Sequence, residues 1–166
     1  GTLCVPEGGA DRFEKICDIT TTEPVVYMEV DVDNKPYKRL YVYVLFRGVA
    51  GESNPDGITI GVRQHLFVQT NKTQINPDTM ISLIGNTDTP YWHCNFFVEL
   101  MPSVARCDLV RTEGNRNNYG AIKYNFPNFL FDMDNYEYVR KIKFSNDNDS
   151  NVLMTTGARM IAWGVY

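Results

Sequence analysis

Two histidines are the residues of this sequence best suited to acid–base or nucleophilic chemistry, and neither has a clear partner. His93 directly precedes Cys94. Because neighbouring residues of a strand point to opposite faces, these two cannot form a thiol–imidazole pair with each other. His65 could reach a cysteine only through tertiary folding. None of the five serines lies in a G-x-S-x-G turn, so we expect no catalytic residue and no enzymatic activity.

Acidic residues cluster in stretches 31–34, 131–137 and 146–150, and their oxygens are of the kind that calcium binds. None completes an EF-hand loop, because no glycine stands at the sixth position counted from Asp31 or Asp132. The cysteine and histidine spacings supply no zinc site, and no glycine-rich stretch has phosphate-loop spacing. We interpret the acidic stretches as turns and expect no metal or cofactor. A calcium ion bridging 131–137 and 146–150 is the weaker alternative.

The chemistry of two further kinds of residue, the asparagines of glycosylation triplets and the cysteines, depends on the cellular compartment. The triplets 71–73 (NKT) and 148–150 (NDS) match the glycosylation acceptor pattern, which matters only if the chain is exported. The four cysteines, Cys4, Cys17, Cys94 and Cys107, are sparse for a disulfide scaffold. We expect free, mostly buried thiols.

Composition excludes two classes of partner. The chain has 166 residues and a net charge of -4, with no Lys/Arg-rich arm at either end. Proteins that hold phosphate backbones by charge alone are normally basic, so bulk nucleic-acid binding is not expected. No stretch approaches the roughly 20 apolar residues of a membrane-spanning helix.

Strands must position any site in this protein, because apolar residues recur mostly at every second position along the sequence. In 91–101 the alternation places Trp92, Cys94, Phe96, Val98 and Leu100 inward. The stretch 38–47 carries bulky residues on both faces, and we expect this strand to end at Arg47-Gly48. Further strands are predicted at 25–32, 57–70, 79–85, 106–110, 120–126, 136–144, 150–156 and 159–166.

Turn residues separate these runs, and the spacing predicts an all-β fold. We expect an antiparallel β-sandwich of jelly-roll type, with about eight to ten strands and little helix. A single domain would cover 1–166. Residues 1–24 would form an N-terminal extension, with a short helical turn within 8–19.

Four aromatic side chains are predicted to point away from the core: Tyr41, Tyr43, Phe67 and Phe97. Exposed aromatic residues indicate an interface. The equally good alternative is that a second layer of the same chain covers them.

The order of these elements resembles the jelly-roll subunit of a non-enveloped, picorna-like RNA virus capsid. The similar features are the aromatic strand running into Arg47-Gly48, the basic–apolar alternation at Val62-Arg63, the run 96–102 (FFVELMP) and the closing Gly157, Arg159 and Trp163-Gly164. A family acidic pair in the last strand is replaced by Ala158-Arg159. The likeness covers about residues 25–166.

This resemblance implies a structural coat subunit, found in the virion and, during assembly, in the host cytoplasm. Its partners would be other copies of itself, related capsid subunits and a host receptor. One alternative is a lectin-like β-sandwich that binds glycans or proteins; a second is a viral spike or protruding receptor-binding domain. An enzyme on a β scaffold is a third.

Overall fold

The chain folds as an antiparallel β-sandwich, which confirms the predicted fold class. The structure, a computed structural model, describes residues 12–49, 59–75, 78–84, 91–100, 104–114, 122–125, 129–146 and 153–166. Within these ranges there are thirteen strands and no helix. No helix in this part of the chain is therefore long and apolar enough to cross a membrane.

The strands follow one another along the chain with short connections. They are β1 Phe13–Thr20, β2 Tyr27–Lys35, β3 Arg39–Val49, β4 Thr59–Thr70, β5 Gln74–Ile75, β6 Asp78–Ile84, β7 Tyr91–Glu99, β8 Val104–Gly114, β9 Ile122–Asn125, β10 Phe129–Asp132, β11 Val139–Asn146, β12 Leu153–Met154 and β13 Arg159–Val165.

Two sheets divide these strands between them. The first sheet has the order β1-β13-β3-β7-β8-β10, with β12 paired to β3; the second has the order β2-β11-β4-β6-β9, with β5 paired to β4. The chain crosses repeatedly from one sheet to the other, so most neighbours within a sheet are distant in sequence. The last strand, β13, lies between β1 and β3 of the first sheet.

The core lies between the sheets and is filled by alternate residues of each strand. On β3 the residues Leu40, Val42, Val44 and Phe46 are buried. On β7 the predicted inward residues Cys94, Phe96 and Val98, and Leu100 just beyond the strand, are also buried. Trp92 pairs with Phe46 in the backbone register, and its side chain lies outside the described residues.

Three phenylalanines join the sheets at the centre of this core. Phe144 on β11 of the second sheet packs against Phe46 on β3, with ring centroids 5.4 Å apart, and against Phe96 on β7, at 6.1 Å. The interplanar angles of 53° and 57° are tilted arrangements that aromatic rings favour. This contact fixes which faces of the two sheets point inward.

The helical turn predicted within 8–19 is wrong for the part that the structure describes. Residues 13–20 form β1, an edge strand paired with β13. A β-bulge between Lys15 and Cys17 leaves Ile16 and Cys17, which are adjacent in sequence, both half-buried. The bulge thus gives Phe13, Ile16 and Cys17 the apolar spacing of a helix without forming one.

Other boundaries also differ from the sequence-based prediction. β3 does not end at Arg47-Gly48; it continues to Val49, and Gly48 pairs with Met154 on β12. Three strands that the sequence did not predict, β1, β5 and β10, raise the strand count above the expected eight to ten. β5 and β10 are too short for a period to be visible.

Asn71, the first residue of the predicted glycosylation triplet at 71–73, joins two segments of the chain through hydrogen bonds of its side chain. Its side-chain oxygen accepts hydrogen bonds from the backbone N–H of Glu137, at 2.8 Å, and of Tyr138, at 3.2 Å. Its side-chain nitrogen donates to the carbonyl of Asn135 at 3.1 Å. A glycan on that nitrogen would disturb this connection between the β4–β5 turn and the segment before β11. The second triplet, 148–150, lies outside the described residues.

The face assignment of β7 can be tested with two neighbouring residues. Phe96→Ala should reduce the free energy of unfolding by about 3–5 kcal/mol, because it empties a buried site. Phe97→Ala should cost about 1 kcal/mol, because this half-buried ring contributes mainly a ring–ring contact. Urea unfolding followed by circular dichroism measures both. Equal losses in the two variants would contradict the assignment.

The role of Asn71 can be separated from glycosylation by two substitutions that both destroy the triplet. Asn71→Ala should lower the free energy of unfolding by about 2 kcal/mol, because two backbone N–H groups lose their acceptor. Thr73→Ala leaves the amide intact and should cost less than about half of that amount. Urea unfolding of the unglycosylated protein measures both losses. An Asn71→Ala variant with the parent's free energy of unfolding would show that these hydrogen bonds do not stabilise the fold.

Candidate functional site

Among the described residues, five aromatic side chains lie on the outer side of the first sheet, and we call them the aromatic face. Its members are Phe13 on β1, Tyr41 and Tyr43 on β3, Phe97 on β7 and Trp163 on β13. Those on β3, β7 and β13 alternate along their strands with residues that enter the core, as Tyr41 and Tyr43 do with Leu40, Val42 and Val44. Because the neighbouring positions point inward, these side chains must point outward.

Strand register brings these rings together. Tyr41 pairs with Trp163 on one side and with Phe97 on the other. The ring centroids of Tyr41 and Phe97 are 5.1 Å apart, and Phe13 stacks on Tyr41 at 5.9 Å with an interplanar angle of 29°. Phe13 is 62% exposed. The rings therefore form one connected apolar surface that spans four strands.

A shallow depression lies at the middle of the aromatic face. It has a volume of about 460 Å³ and is lined by Tyr41, Tyr43, Asn95, Phe97 and Trp163, with Val42 and Phe96 at its base. A second depression of about 360 Å³ adjoins it beside Phe13. The described lining residues offer ring surfaces, hydroxyl groups and one amide. This chemistry suits contact and recognition better than bond breaking.

Part of this side of the sheet is already covered within the chain. Ile161 and Val165 share the outward register of Trp163, and yet they are 9% and 0% exposed. At the end of the face, Arg159 donates two hydrogen bonds to Asp18, at 2.8 and 2.7 Å. These bonds lower the pKa of the Asp18 carboxyl and raise that of Arg159. The aromatic face thus has an apolar centre and an ion pair at its margin.

A cluster at the chain's C-terminal end holds β1, and with it Phe13, against the first sheet. The Tyr166 hydroxyl donates to the Glu14 carboxylate, and Lys35 lies 3.9 Å from the same carboxylate. The Arg12 guanidinium lies 4.4 Å from the centre of the Tyr166 ring. The hydrogen bond from Tyr166 is the main cause of a lowered pKa at Glu14.

Tyr37 explains why a glycine follows Trp163. The Tyr37 ring is buried and packs 5.0 Å from the Tyr166 ring. A Cβ atom at Gly164 would overlap the Tyr37 ring. Desolvation by burial raises the pKa of Tyr37, so its hydroxyl remains neutral. The Trp163-Gly164 pair, noted in the sequence as a family-like feature, therefore leaves room for an internal aromatic ring.

The outward aromatic residues predicted from the sequence divide between the two sheets. Tyr41, Tyr43 and Phe97 come together on the aromatic face, whereas Phe67 lies on the outer side of the second sheet, beside His65 at 5.6 Å. Sequence reasoning missed Trp163, Asn95 and Phe13 as members of this site. The alternation in β13 could have revealed Trp163, but the β1 bulge conceals the outward position of Phe13.

Among the described residues, those considered for catalysis or metal binding do not assemble into a site. His65 is half-buried on β4 of the second sheet, whereas His93 lies on β7 of the first; the His93 side chain is outside the described residues. Among the described residues, no group of three or more His, Cys, Asp or Glu side chains could hold a metal ion. The Asp132 carboxylate instead accepts a hydrogen bond from the N–H of Asp134 within a turn.

The two cysteines that the structure describes, Cys17 and Cys94, show no functional grouping either. Cys17 is a free, half-buried thiol whose pKa is raised by desolvation. Cys94 is fully buried in the core. The Cys4 residue and the Cys107 side chain lie outside the described part of the chain, as do residues 147–150 of the acidic stretch 146–150.

Comparison with known proteins gives no family assignment. No family model matches the chain, and no curated protein matches it. Two solved structures of a β-fructofuranosidase from Schwanniomyces occidentalis, one with fructosyl-erythritol and one with fructose, are similar at 8% identity and a TM-score of 0.45. The match covers 92% of this chain and 34% of that enzyme, so this chain spans about a third of its length.

A second kind of structure is similar over its whole length. A tetrameric galectin from the ball sponge Cinachyrella sp. matches at 10% identity and a TM-score of 0.37, over 84% of this chain and 99% of the galectin. At this level of similarity, neither the sugars bound by the first protein nor the oligomeric state of the second transfers to this chain.

The Glu14–Tyr166 hydrogen bond predicts a specific response to acid. A carboxyl whose folded-state pKa is lowered stabilises the fold above its unfolded pKa, near 4.3, and loses that contribution as pH falls through the lower folded value. The melting temperature should therefore decline below about pH 4.5. Glu14→Gln and Tyr166→Phe should each make that decline shallower.

The two substitutions also provide their own control. Because Lys35, Tyr37 and Arg12 also lower the pKa of Glu14, Tyr166→Phe should have the smaller effect, and the double variant should show the same acid profile as Glu14→Gln alone. Thermal melting from pH 7 to pH 3 measures the three profiles. A Tyr166→Phe protein that retains the parent's full acid decline would show that the hydrogen bond is not the cause.

Proposed function

We propose that this chain is a non-catalytic structural subunit that associates with other copies of itself, and that the aromatic face is one of its contact surfaces. The single observation behind this proposal is the connected set of outward rings on the first sheet. Isolated exposed apolar residues are ordinary, whereas a contiguous apolar patch usually marks an interaction surface.

The size of the aromatic face suits a contact between copies. Four strands about 4.8 Å apart and a length of seven residues give roughly 20 Å by 20 Å, or on the order of 400 Å² per copy in projection. Side-chain relief makes the accessible area larger. Two such faces together give on the order of 800 Å² in projection, so with side-chain relief their contact approaches the threshold of about 1,000 Å² for a specific interface.

The chemistry of the face is also that of a protein interface. Its centre is aromatic and carries one amide, Asn95, and its charged pair, Asp18–Arg159, is satisfied within the chain. Interface cores are depleted of charge and enriched in aromatic residues, with polar groups at the rim. A copy placed against this face would not leave that ion pair without its partner.

The most specific form of the proposal is the coat subunit of a non-enveloped virus, which the sequence resemblance implies. A shell needs several modest interfaces per subunit, and a face of this size supplies one. The alternatives are a spike or receptor-binding domain and a lectin-like β-sandwich. A chain that stays monomeric and binds sugars would favour the lectin-like alternative.

The assembly role is tested by the mass of the protein in solution. The parent should associate at micromolar concentration, and Tyr41→Ser with Phe97→Ser should weaken association at least about tenfold, because two central rings are lost. Sedimentation velocity over a concentration series measures this. Circular dichroism must show that the double variant remains folded.

A matched control lies on the opposite side of the sandwich. Tyr27→Ser with Phe67→Ser removes the same two residue types from the second sheet, where Tyr27 is 49% exposed. This control should associate as the parent does. A monomeric parent at all concentrations, or a control that dissociates while the aromatic-face variant does not, would refute the proposal.

A further inference from the structure

The outer side of the second sheet has a different character from the aromatic face. Two adjoining depressions there, of about 400 and 270 Å³, share Gln69 and Lys141 and so form one groove, which we call the polar groove. Its described lining residues are Glu29, Asp31, Phe67, Gln69, Gln74, Arg140, Lys141 and Lys143.

Strand register arranges the polar groove as two rows of side chains. One row runs Asp31, Lys141, Gln69, Gln74 across β2, β11, β4 and β5. The next row runs Glu29, Lys143, Phe67. Four neighbouring strands give the groove a length of about 15 Å. That length suits an extended ligand rather than one small ring.

Among the described residues, some charged side chains of the groove have an ion-pair partner and others do not. Lys141 lies 3.5 Å from the Glu29 carboxylate and 3.7 Å from that of Asp31. Lys143 instead lies 4.4 Å from the centre of the Tyr27 ring and 5.7 Å from that of Phe67. No described carboxylate is within ion-pair distance of Lys143 or Arg140. Three cationic and two anionic side chains leave one positive charge in excess.

From this arrangement we propose that the polar groove binds an oligosaccharide that carries a carboxylate, such as a uronic or sialic acid unit. The Lys143 ammonium would hold the carboxylate. The Phe67 ring would contact the apolar face of a sugar ring. The amides of Gln69 and Gln74 would donate to and accept from hydroxyl groups, and the Glu29 carboxylate would accept from them.

Two other kinds of ligand fit less well. A nucleic-acid backbone would bring several negative charges against Glu29 and Asp31, whereas the groove has an excess of one positive charge, enough for a single carboxylate; the chain is also acidic overall. The groove lies on the face of a sheet, where a peptide strand could not add backbone hydrogen bonds as it does at an edge. The proposal specifies a ligand for the lectin-like alternative, and it does not depend on assembly through the aromatic face.

Calorimetric titration of the full chain tests the proposal with two acidic probes, trigalacturonic acid and 3′-sialyllactose, and their neutral counterparts, galactotriose and lactose. At least one acidic probe should bind about tenfold more tightly than its neutral counterpart, and the difference should shrink in high salt. Lys143→Gln should remove most of that preference, Lys143→Arg should retain it, and Phe67→Ala should weaken both members of the pair.

Two controls keep the groove distinct from the aromatic face. Lys15→Gln removes an exposed lysine from β1 of the first sheet and should leave binding unchanged. The Tyr41→Ser, Phe97→Ser variant should bind the acidic probe as the parent does, whether or not the parent assembles. Absence of binding to both acidic probes at millimolar concentration, or a preference that survives Lys143→Gln, would overturn the proposal.

Discussion

The contact of Phe144 with Phe46 and Phe96 is the constraint on which the rest of this structure depends. It joins the two sheets through their inner faces. Because side chains alternate along a strand, fixing Phe96 inward forces Phe97 outward, and fixing Val42 and Val44 inward does the same to Tyr41 and Tyr43. A shift of one residue in any of these strands would bury the aromatic face and expose the core.

The two outer faces that result are chemically different. The first sheet presents connected rings with an ion pair at the margin, whereas the second presents lysines, carboxylates and amides around Phe67. A sandwich whose outer sides differ in this way can contact a copy with one side and a polar ligand with the other. The edge strand β1 contributes to the first side, and the Glu14–Tyr166 hydrogen bond ties it to the chain's C-terminal end.

Much of the fold and part of the candidate site follow from the sequence alone. Period two in β3 and β7 predicted the buried residues Phe96 and Val98 and the outward residues Tyr41 and Phe97. Alternation does not tell which sheet a strand joins, so Phe67 could not be separated from the others before the topology was known. The β1 bulge imitated helical spacing, and the hydrogen bonds of Asn71 to 135–138 join parts of the chain too distant for any local pattern to indicate.

The proposed contact between the aromatic face and another copy of the chain would be visible in an electron cryomicroscopy structure of the associated protein. We expect Phe13, Tyr41 and Trp163 of one copy to lie buried against a neighbouring copy, within a contact of at least about 1,000 Å². An assembly held together by other surfaces, with these three rings facing solvent, would contradict it.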